Sequence, residues 1–336
     1  MLSRPLHIGD VRVAGRVLAA PMTGVTDLPF RRLLSRLGAA YVATEMVASA
    51  ELARGRPDVV RRAAVGEGLP LMVVQLVGRQ ASWMAEGARL AADAGAQVID
   101  INMGCPAREV TGGLSGSALM RDLDQAESLI AAAVGATDRP VTLKMRLGWD
   151  EASRNAPELA SRAEQAGVQA ITVHGRTRAQ FYAGAADWAA IAEVKAATRL
   201  PVIVNGDILC AGSARRALEL SGADALMLGR AIYGRPWIVA GLDTALATGA
   251  DVPEPDAVER LEIVLGHLGE TLAFYGDRLG LRIFRKHLGW YVERAPWPAN
   301  PETRRQAKSA LCRLETAAEV EAGLSKLWTD AWDGAC

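Results

Sequence analysis

The chain has 336 residues, half of them apolar and 23% charged, an ordinary balance that supplies ample material for a core. Its 38 lysines and arginines equal its 38 aspartates and glutamates, so any nucleic-acid binding must come from a local basic patch. Four cysteines without a C-x-x-C pair indicate neither a disulfide framework nor a metal site. With no signal-peptide pattern and no run of 18 apolar residues, we expect a cytoplasmic protein without a membrane span. We also expect a monomer.

Eight short apolar runs recur in the first two thirds of the chain, each followed by a polar or glycine-rich turn. They are VLAAPM (17–22), YVATEMV (41–47), LMVVQLVG (71–78), VIDINMG (98–104), VTLKMRLG (141–148), AITVHGR (170–176), PVIVNGD (201–207) and ALMLGR (225–230). Each is continuous rather than alternating, which is typical of parallel strands buried on both faces. With the helical stretches between them, they predict an α/β fold, a (β/α)8 TIM barrel.

A doubly wound sheet is the structural alternative. It would normally carry a glycine-rich phosphate turn after its first strand, where this chain has Pro21, Met22 and Thr23.

The composition changes after the eighth run. An acidic, proline-containing segment (248–256) reads as a linker, and helical periodicity resumes beyond it. Three helical stretches are predicted there. The second begins near Leu279, the third covers about Glu302–Leu327, and the first would bury one apolar face. That first apolar face comprises Val258, Leu261, Val264, Leu265, Leu268 and Leu272. We therefore expect a barrel domain over residues 1–242 and a small all-helical domain over 243–336.

Polar residues stand at the C-terminal ends of most predicted strands, where barrels of this kind build their active sites. They are Gln75, Asn102, Cys105, Lys144, Arg146, His174, Arg176, Asn205, Asp207 and Arg230. Any one of them could be a buried side chain whose hydrogen bonds are all made within the core. The whole set could hardly find hydrogen-bond partners without a polar ligand between them.

Two of these strand ends suggest a phosphate site. Asn205-Gly206-Asp207 and Gly229-Arg230 offer glycine amides and a guanidinium, which would suit a sugar phosphate as well as a nucleotide. Gln75 and Lys144 favour a flavin, because an amide can bond a flavin ring edge and a lysine can offset negative charge on it.

Cys105 is a second candidate for chemistry, since it lies in a loop after a strand end and precedes a glycine-rich stretch, GGLSGSALM (112–120). Its thiol could act as a nucleophile or as a general acid. No adjacent histidine is visible that would make it a thiolate.

Seven motifs make the chain recognisable. They are APMTGVTDLPFR (20–31), DINMGCP (100–106), GSALM (116–120), VTLKMRLGW (141–149), TVHGRTR (172–178), VIVNGDI (202–208) and LMLGRAIYGRPW (226–237). In this order they resemble the bacterial tRNA-dihydrouridine synthases, most closely the DusB-type branch, over residues 7–295. One departure is Arg108-Glu109, where the branch commonly has paired lysines, so a basic contact to tRNA is expected to be lost there.

The resemblance implies an FMN enzyme with NADPH or NADH as reductant and tRNA as substrate. It places Pro21, Met22 and Thr23 along the flavin, Gln75, Lys144 and His174 at its ring, and Asn205, Gly206, Asp207, Gly229 and Arg230 at its phosphate. It makes Cys105 the proton donor, puts Asn102 near the uracil, and gives Arg178 and the C-terminal helices to tRNA. NADPH would reduce FMN, and a hydride would then pass to C6 of a D-loop uridine while Cys105 protonates C5. Position 17 is the favoured target.

The charge of the C-terminal segment supports RNA binding independently of the resemblance. Residues 277–315 hold nine basic and four acidic side chains, a net charge of +5. Arg282, Arg285 and Lys286 have helical spacing and share a face, although a solvated helix face would show the same pattern. Trp290, Tyr291 and Trp297 could stack on bases, but we favour packing between this segment and the barrel.

Two other functions fit part of the pattern. A dihydroorotate-type dehydrogenase would share the flavin residues but leaves the basic helical tail unexplained. A non-catalytic RNA-binding protein on a barrel scaffold would leave Gln75, Lys144, His174 and Cys105 unexplained.

Overall fold

The computed structural model describes residues 5–64, 66, 69–296 and 300–328. Its strands are β1 (Leu6–Ile8), β2 (Val11–Val13), β3 (Val17–Ala19), β4 (Val42–Ala43), β5 (Val47–Ala48), β6 (Met72–Val77), β7 (Val98–Met103), β8 (Val141–Arg146), β9 (Ala170–His174), β10 (Val202–Asn205) and β11 (Ala225–Leu228). Its helices are α1 (Leu28–Arg36), α2 (Ser49–Ala53), α3 (Pro57–Arg62), α4 (Ala81–Asp93), α5 (Arg108–Thr111), α6 (Leu123–Val134), α7 (Ala156–Gln165), α8 (Ala189–Ala196), α9 (Ala211–Ser221), α10 (Ile238–Thr248), α11 (Ala257–Tyr275), α12 (Asp277–Arg294), α13 (Pro301–Leu311) and α14 (Ala317–Trp328), with 3-10 turns at Gly116–Arg121 and Arg230–Ile232.

The parallel strands from β3 to β11 close into a barrel. β3 pairs with β11 on one side and with β4 on the other, and β4 pairs with β6. β4 and β5 together occupy the second strand position, so the barrel has eight positions and the predicted TIM barrel is confirmed. The second strand is interrupted at Thr44. Its backbone N–H still donates to the Val73 carbonyl, but the Gln75 N–H donates to the Thr44 side-chain hydroxyl and not to a backbone carbonyl of that strand.

A hairpin made of β1 and β2, which the sequence patterns did not reveal, lies at the N-terminal end of the barrel. Its turn residue Gly9 has a φ of +60°, and a Cβ there would lie 3.1 Å from Pro140, just before β8. Leu6, Ile8 and Val13 join the apolar cluster at the base of the barrel interior. The hairpin therefore closes the end opposite the strand C-termini, and the polar strand ends lie at the other, open face.

The C-terminal segment is helical, as expected, but its described residues (257–296 and 300–328) form four helices where three were predicted. The third predicted stretch is wrong as a single helix, because Thr316 and Glu319 form reciprocal side-chain-to-backbone hydrogen bonds that start a new helix at Ala317. The apolar face of α11 also differs from the prediction: Val258 is 66% exposed, whereas His267 is buried. None of the helices in the described ranges is both long and apolar enough to cross a membrane.

Helix α10 belongs with the barrel. The Asp243 carboxylate accepts the backbone N–H groups of Arg16 (2.7 Å) and Val17 (3.1 Å), which ties the helix to the start of β3. The expected domain boundary between residues 242 and 243 lies inside this helix. We propose residues 249–256 as the boundary instead, because that segment joins α10 to α11 and contains no helix or strand.

Candidate active site

The predicted polar residues of β6 to β10 meet at the C-terminal face of the barrel. The ladder places Gln75 beside Asp100, Asn102 beside Lys144, and His174 between Arg146 and Asn205. Gln75, Asn102, His174 and Asn205 are all buried. Barrel closure thus assembles one polar cluster from strands that are distant in sequence.

A chain of hydrogen bonds runs from the buried carboxylate of Asp100 to the backbone at Cys105. Gln75 Nε2 donates to Asp100 Oδ2 (2.6 Å), and Asn102 Nδ2 donates to Gln75 Oε1 (2.8 Å). Asn102 Oδ1 then accepts the backbone N–H groups of Gly104 (3.1 Å) and Cys105 (2.9 Å). Because a carboxylate can only accept, Asp100 determines the orientation of both amides. Asn102 therefore binds the backbone of the Cys105 loop through its Oδ1 and binds Gln75 through its Nδ2.

Asp100 was not singled out from the sequence, although a lone carboxylate inside an apolar run was a signal. It is 3% exposed, and burial raises its pKa to about 6 despite hydrogen bonds from Thr142 (2.6 Å) and Gln75. It remains mostly ionised at neutral pH, where it attracts Lys144.

The loop that carries Cys105 is fixed from several directions. The Cys105 carbonyl accepts the N–H (3.1 Å) and hydroxyl (2.8 Å) of Ser117, and Arg146 Nε donates to the Gly104 carbonyl (2.8 Å). Burial raises the pKa of the Cys105 thiol above its ordinary value, against smaller lowering effects of Arg146 and Lys144. The thiol is therefore protonated at neutral pH, which suits a proton donor better than a nucleophile.

Lys144 and His174 carry different charges in the same cluster. Burial lowers the pKa of Lys144 to about 8, and its Nζ donates to Asn205 Oδ1 (3.2 Å), while Asn205 Nδ2 donates to the Met227 carbonyl (2.8 Å). Burial and the nearby positive charges hold the pKa of His174 well below its ordinary value. At pH 7 the site thus offers an ammonium group and a neutral imidazole.

The predicted phosphate-binding residues lie at the ends of the neighbouring strands β10 and β11. Within the described parts of the chain, the backbone N–H groups of Gly206, Asp207, Gly229 and Arg230 donate no intramolecular hydrogen bond. Gly206 has a φ of +115°, and a Cβ there would lie 2.8 Å from His174 Cδ2. These amides and the bare glycine backbone fit an anion and a close ligand approach.

The Asp207 side chain does not face that anion site. Its carboxylate accepts from Arg176 (3.0 and 2.6 Å), Arg230 (3.2 Å) and the Ala186 N–H (2.8 Å). Burial opposes ionisation, but the arginine contacts prevail and hold the pKa of Asp207 below its ordinary value. Asp207 therefore orients Arg230, whose guanidinium lies 4.8 Å from the ring centre of Tyr182. Arg176 was predicted only as a polar strand-end residue, without a role, and Tyr182 was not among the sequence-predicted site residues.

Pro21, Met22 and Thr23 follow β3 and enter a tight turn. The Met22 carbonyl accepts the N–H groups of Val25 and Thr26, and the Met22 N–H donates to the Thr26 hydroxyl (3.0 Å). A Cβ at Gly229 would lie 4.0 Å from Met22 Sδ. The first strand therefore ends beside the predicted phosphate site, on the side of β11.

The predicted RNA-binding residues do not form one cluster. Arg178 lies at the barrel rim, with its guanidinium 4.6 Å from the ring centre of Trp149 and NH2 3.5 Å from the Thr111 hydroxyl. On α12, Arg282 is exposed, Arg285 donates to the Leu314 carbonyl (3.2 Å), and Lys286 donates to the Gly24 carbonyl. The helical spacing places three charges on one face, but two of them already have partners within the protein.

The aromatic residues of α12 pack, as predicted. Trp290 stacks on Tyr233 of the barrel with ring centres 3.8 Å apart and planes 7° from parallel. Tyr291 is buried, and its hydroxyl lies 3.0 Å from His267 Nδ1. Trp297 lies outside the described residues.

Comparison with known proteins agrees with this geometry. The family described as "Dihydrouridine synthase (Dus)" matches residues 17–327. The chain is 55% identical over 307 residues to a probable tRNA-dihydrouridine synthase of Rhodobacter capsulatus, which covers 91% of this chain and 94% of that protein. It is 47% identical over 292 residues to tRNA-dihydrouridine synthase B of Pseudomonas putida, covering 87% of this chain and 86% of that one.

Solved structures with lower identity share the fold. Morphinone reductase in complex with tetrahydroNAD aligns with a TM-score of 0.52 at 17% identity, over 77% of this chain and 93% of that one. At this identity the likeness shows a common barrel and no more. The resemblance inferred from the sequence motifs is confirmed by the family match and the relatives: the chain belongs to the dihydrouridine synthase family.

Proposed function

We propose that this protein is an FMN-dependent tRNA-dihydrouridine synthase that reduces the C5=C6 bond of a uridine in the tRNA D-loop. The observation that carries the proposal is a protonated thiol, Cys105, held on a fixed loop at the barrel mouth beside partly buried Lys144 and neutral His174. Family membership and relatives named as tRNA-dihydrouridine synthases support the same reaction and an oxidoreductase activity.

The residues present fit FMN. The free amides of Gly206, Asp207, Gly229 and Arg230 would hold its single phosphate, and Pro21, Met22 and Thr23 would line it on the β3 side. Gln75 and His174 would offer hydrogen-bonding groups at the ring and Lys144 a positive charge. Bound FMN, reduced by NADPH or NADH, supplies the hydride for C6 of the uridine.

Cys105 supplies the proton for C5. Because its thiol is protonated at neutral pH, no other group has to protonate it before it donates its proton to C5. The uridine must leave its stack to reach the barrel mouth, which costs a few kcal/mol, least in a loop. Asn102 would contribute chiefly by placing the Cys105 backbone, since its Oδ1 already accepts two backbone N–H groups. Like Gln75, it keeps a second amide N–H that could face a ligand.

We also propose a separate function for each of the two domains. The barrel up to α10 would carry the chemistry, and α11 to α14 would bind tRNA. On the α12 face, Arg282 is exposed and, among the described residues, has neither a hydrogen bond nor an ion pair of the kind that Arg285 and Lys286 have. The enzyme would act in the cytoplasm as a monomer, with position 17 as the favoured target.

The test is Cys105→Ala, with Cys210→Ser as the control because Cys210 is an exposed helix-capping cysteine whose side-chain hydrogen bond goes to Ser213 rather than to a residue of the site. We expect Cys105→Ala to retain FMN and NADPH oxidation but to form dihydrouridine roughly 10²- to 10⁴-fold more slowly on undermodified tRNA, measured by nucleoside mass spectrometry. Cys210→Ser should match wild type.

Wild-type turnover by Cys105→Ala would remove the proton-donor role. A wild-type protein that takes up no flavin would overturn the proposed function, and reduction of free pyrimidines without tRNA would favour a dihydroorotate-type dehydrogenase.

A further inference from the structure

Helix α12 contacts the barrel at two turns that follow neighbouring strands. Lys286 Nζ donates to the Gly24 carbonyl in the turn after β3, and Trp290 stacks on Tyr233 just after β11. Lys286 and Trp290 are four residues apart, so they lie on one face of the helix. Because β3 and β11 pair with each other in the closed sheet, this helix face spans the ends of both strands. One face of the tail thus supports two adjacent turns of the barrel mouth.

The turn after β3 is a stiff unit that is held from two sides. Its Met22 carbonyl accepts two backbone N–H groups of the same turn (3.0 Å each), and its tip residue Gly24 has a φ of +73°. The Gly24 N–H donates to the buried carboxylate of Glu45 in the barrel, while the Gly24 carbonyl accepts from Lys286 in the tail. A displacement of α12 would therefore move Met22 and Thr23, which would line FMN in the proposed site.

The turn after β11 is held by the same helix. The carbonyls of Gly229 and Arg230 each accept a backbone N–H within the turn (3.1 Å each), so the predicted phosphate-binding backbone is continuous with Tyr233. The Tyr233 ring lies parallel to Trp290, with ring centres 3.8 Å apart. A Cβ at Gly234 would overlap the Trp290 carbonyl, so the backbone of the turn lies directly against α12. The position of the tail thus determines the position of the second turn as well.

The remaining contacts dock the tail on the same side of the barrel. Ile263 of α11 and Trp290 of α12 pack against the apolar core of the barrel. Phe30 of α1, which follows the β3 turn, is buried with its ring centre 5.2 Å from that of His267 and 4.8 Å from that of His287. The tail therefore fixes α1 together with the turn that precedes it.

We propose that docking of the helical tail and binding of FMN are thermodynamically coupled, with Lys286 and Trp290 as positioning residues that hold the two flavin-site turns. The inference rests on the proposed function and adds a second task for the tail, which completes the cofactor site besides binding tRNA. With the tail docked, both turns are already ordered, and FMN binding does not have to supply the free energy of ordering them. Without these contacts the turns populate other arrangements, and the apparent affinity for FMN falls with the population of the competent one.

Coupling of this kind is reciprocal. The factor by which a docked tail strengthens FMN binding is the factor by which bound FMN stabilises the docked tail. The same contacts therefore make a prediction about the helix as well as about the cofactor. Bound FMN should slow the local opening of α12, which amide hydrogen exchange detects.

The experiment measures the affinity of full-length, flavin-free protein for FMN by quenching of flavin fluorescence. Trp290→Ala removes the stack on Tyr233, Trp290→Phe keeps an aromatic ring there, and Lys286→Met removes the ammonium donor. Arg278→Met is the charge control, because it removes a positive charge from an exposed position of the same helix. Leu324→Ala is the stability control, because it removes a buried side chain from the core that the tail helices share.

Trp290→Ala should weaken FMN binding roughly 5- to 150-fold, the usual range of coupling between two sites, and Trp290→Phe should restore most of the affinity. Lys286→Met should weaken it about 2- to 5-fold, because it loses a single exposed hydrogen bond. Both controls should bind FMN as wild type does, Leu324→Ala in spite of a lower thermal stability. In wild type, FMN should slow hydrogen exchange in α12.

Wild-type FMN affinity in folded Trp290→Ala and Lys286→Met proteins would overturn the coupling. Two other results would also overturn it: a loss of affinity in Leu324→Ala as large as that in Trp290→Ala, which general instability would explain, and exchange in α12 that FMN leaves unchanged. A wild-type protein that binds no flavin would instead overturn the proposed function. Flavin binding that is independent of the tail contacts would leave that function standing.

Discussion

Replacing Asp100 with asparagine tests the ionisation of the carboxylate at the start of the hydrogen-bond chain. Asparagine has nearly the same shape, its Oδ1 can accept from Gln75, and its Nδ2 can donate to the Thr142 hydroxyl, which both donates and accepts. The chain through Asn102 to Cys105 should therefore survive. What changes is that residue 100 can no longer ionise.

The magnitude follows from the pKa of Asp100, which burial raises from 3.8 to about 6. A folded-state pKa above the unfolded value means that the stabilisation is complete below pH 3.8 and is lost as the pH rises through 6. The full loss is about 3 kcal/mol, most of which falls between pH 4 and pH 7. Asp100→Asn does not incur this loss, so its stability relative to wild type should rise with pH by that amount.

The assay is urea unfolding of both proteins at intervals from pH 4 to pH 7, since the difference between them cancels the titrating groups that do not interact with Asp100. Lys144, which does interact with Asp100, has a pKa of about 8 and stays mostly protonated over this range. Thr142→Val removes the hydroxyl that donates to Asp100 at 2.6 Å. In a protein that keeps Asp100, this change should make the free energy of unfolding fall more steeply as the pH rises. A difference between Asp100→Asn and wild type that stays flat from pH 4 to pH 7, or falls, would refute the raised pKa and the reasoning built on it.

Two substitutions and one NMR titration test the packing and charge of the site and the contact between the barrel and the tail. Gly206→Ala should cost about 2–5 kcal/mol and lower flavin retention, because φ is +115° and the new Cβ would lie 2.8 Å from His174; unchanged thermal stability would contradict this. Trp290→Ala should lower stability by about 2–4 kcal/mol and expose the α12 contact to proteolysis, through loss of its stack on Tyr233, and wild-type protease resistance would argue against that contact. NMR of His174 should show a neutral ring throughout pH 5–8, since its pKa is held well below the ordinary value; a titration near pH 6.5 would show that the imidazole is not desolvated.

Much of the fold could be predicted because its signal is local. Continuous apolar runs ending in polar residues identify buried parallel strands, and eight of them in order leave little besides a barrel. The hairpin of β1 and β2 was missed because three-residue strands carry almost no periodicity. The helix pair α13 and α14 was merged because the apolar spacing continues across the turn, and only the capping contacts of Thr316 and Glu319 separate them.

By itself, the sequence determined which polar residues stand at the strand ends: the position of Gln75, Cys105, Lys144 and His174 follows from their place in each run. The tertiary structure alone decided what each side chain faces. Asp207 turns toward Arg176, 31 positions away, and Lys286 reaches Gly24 across 262 positions. Such partners are set by closure of the barrel and docking of the tail, which bring together groups between which local sequence patterns carry no information.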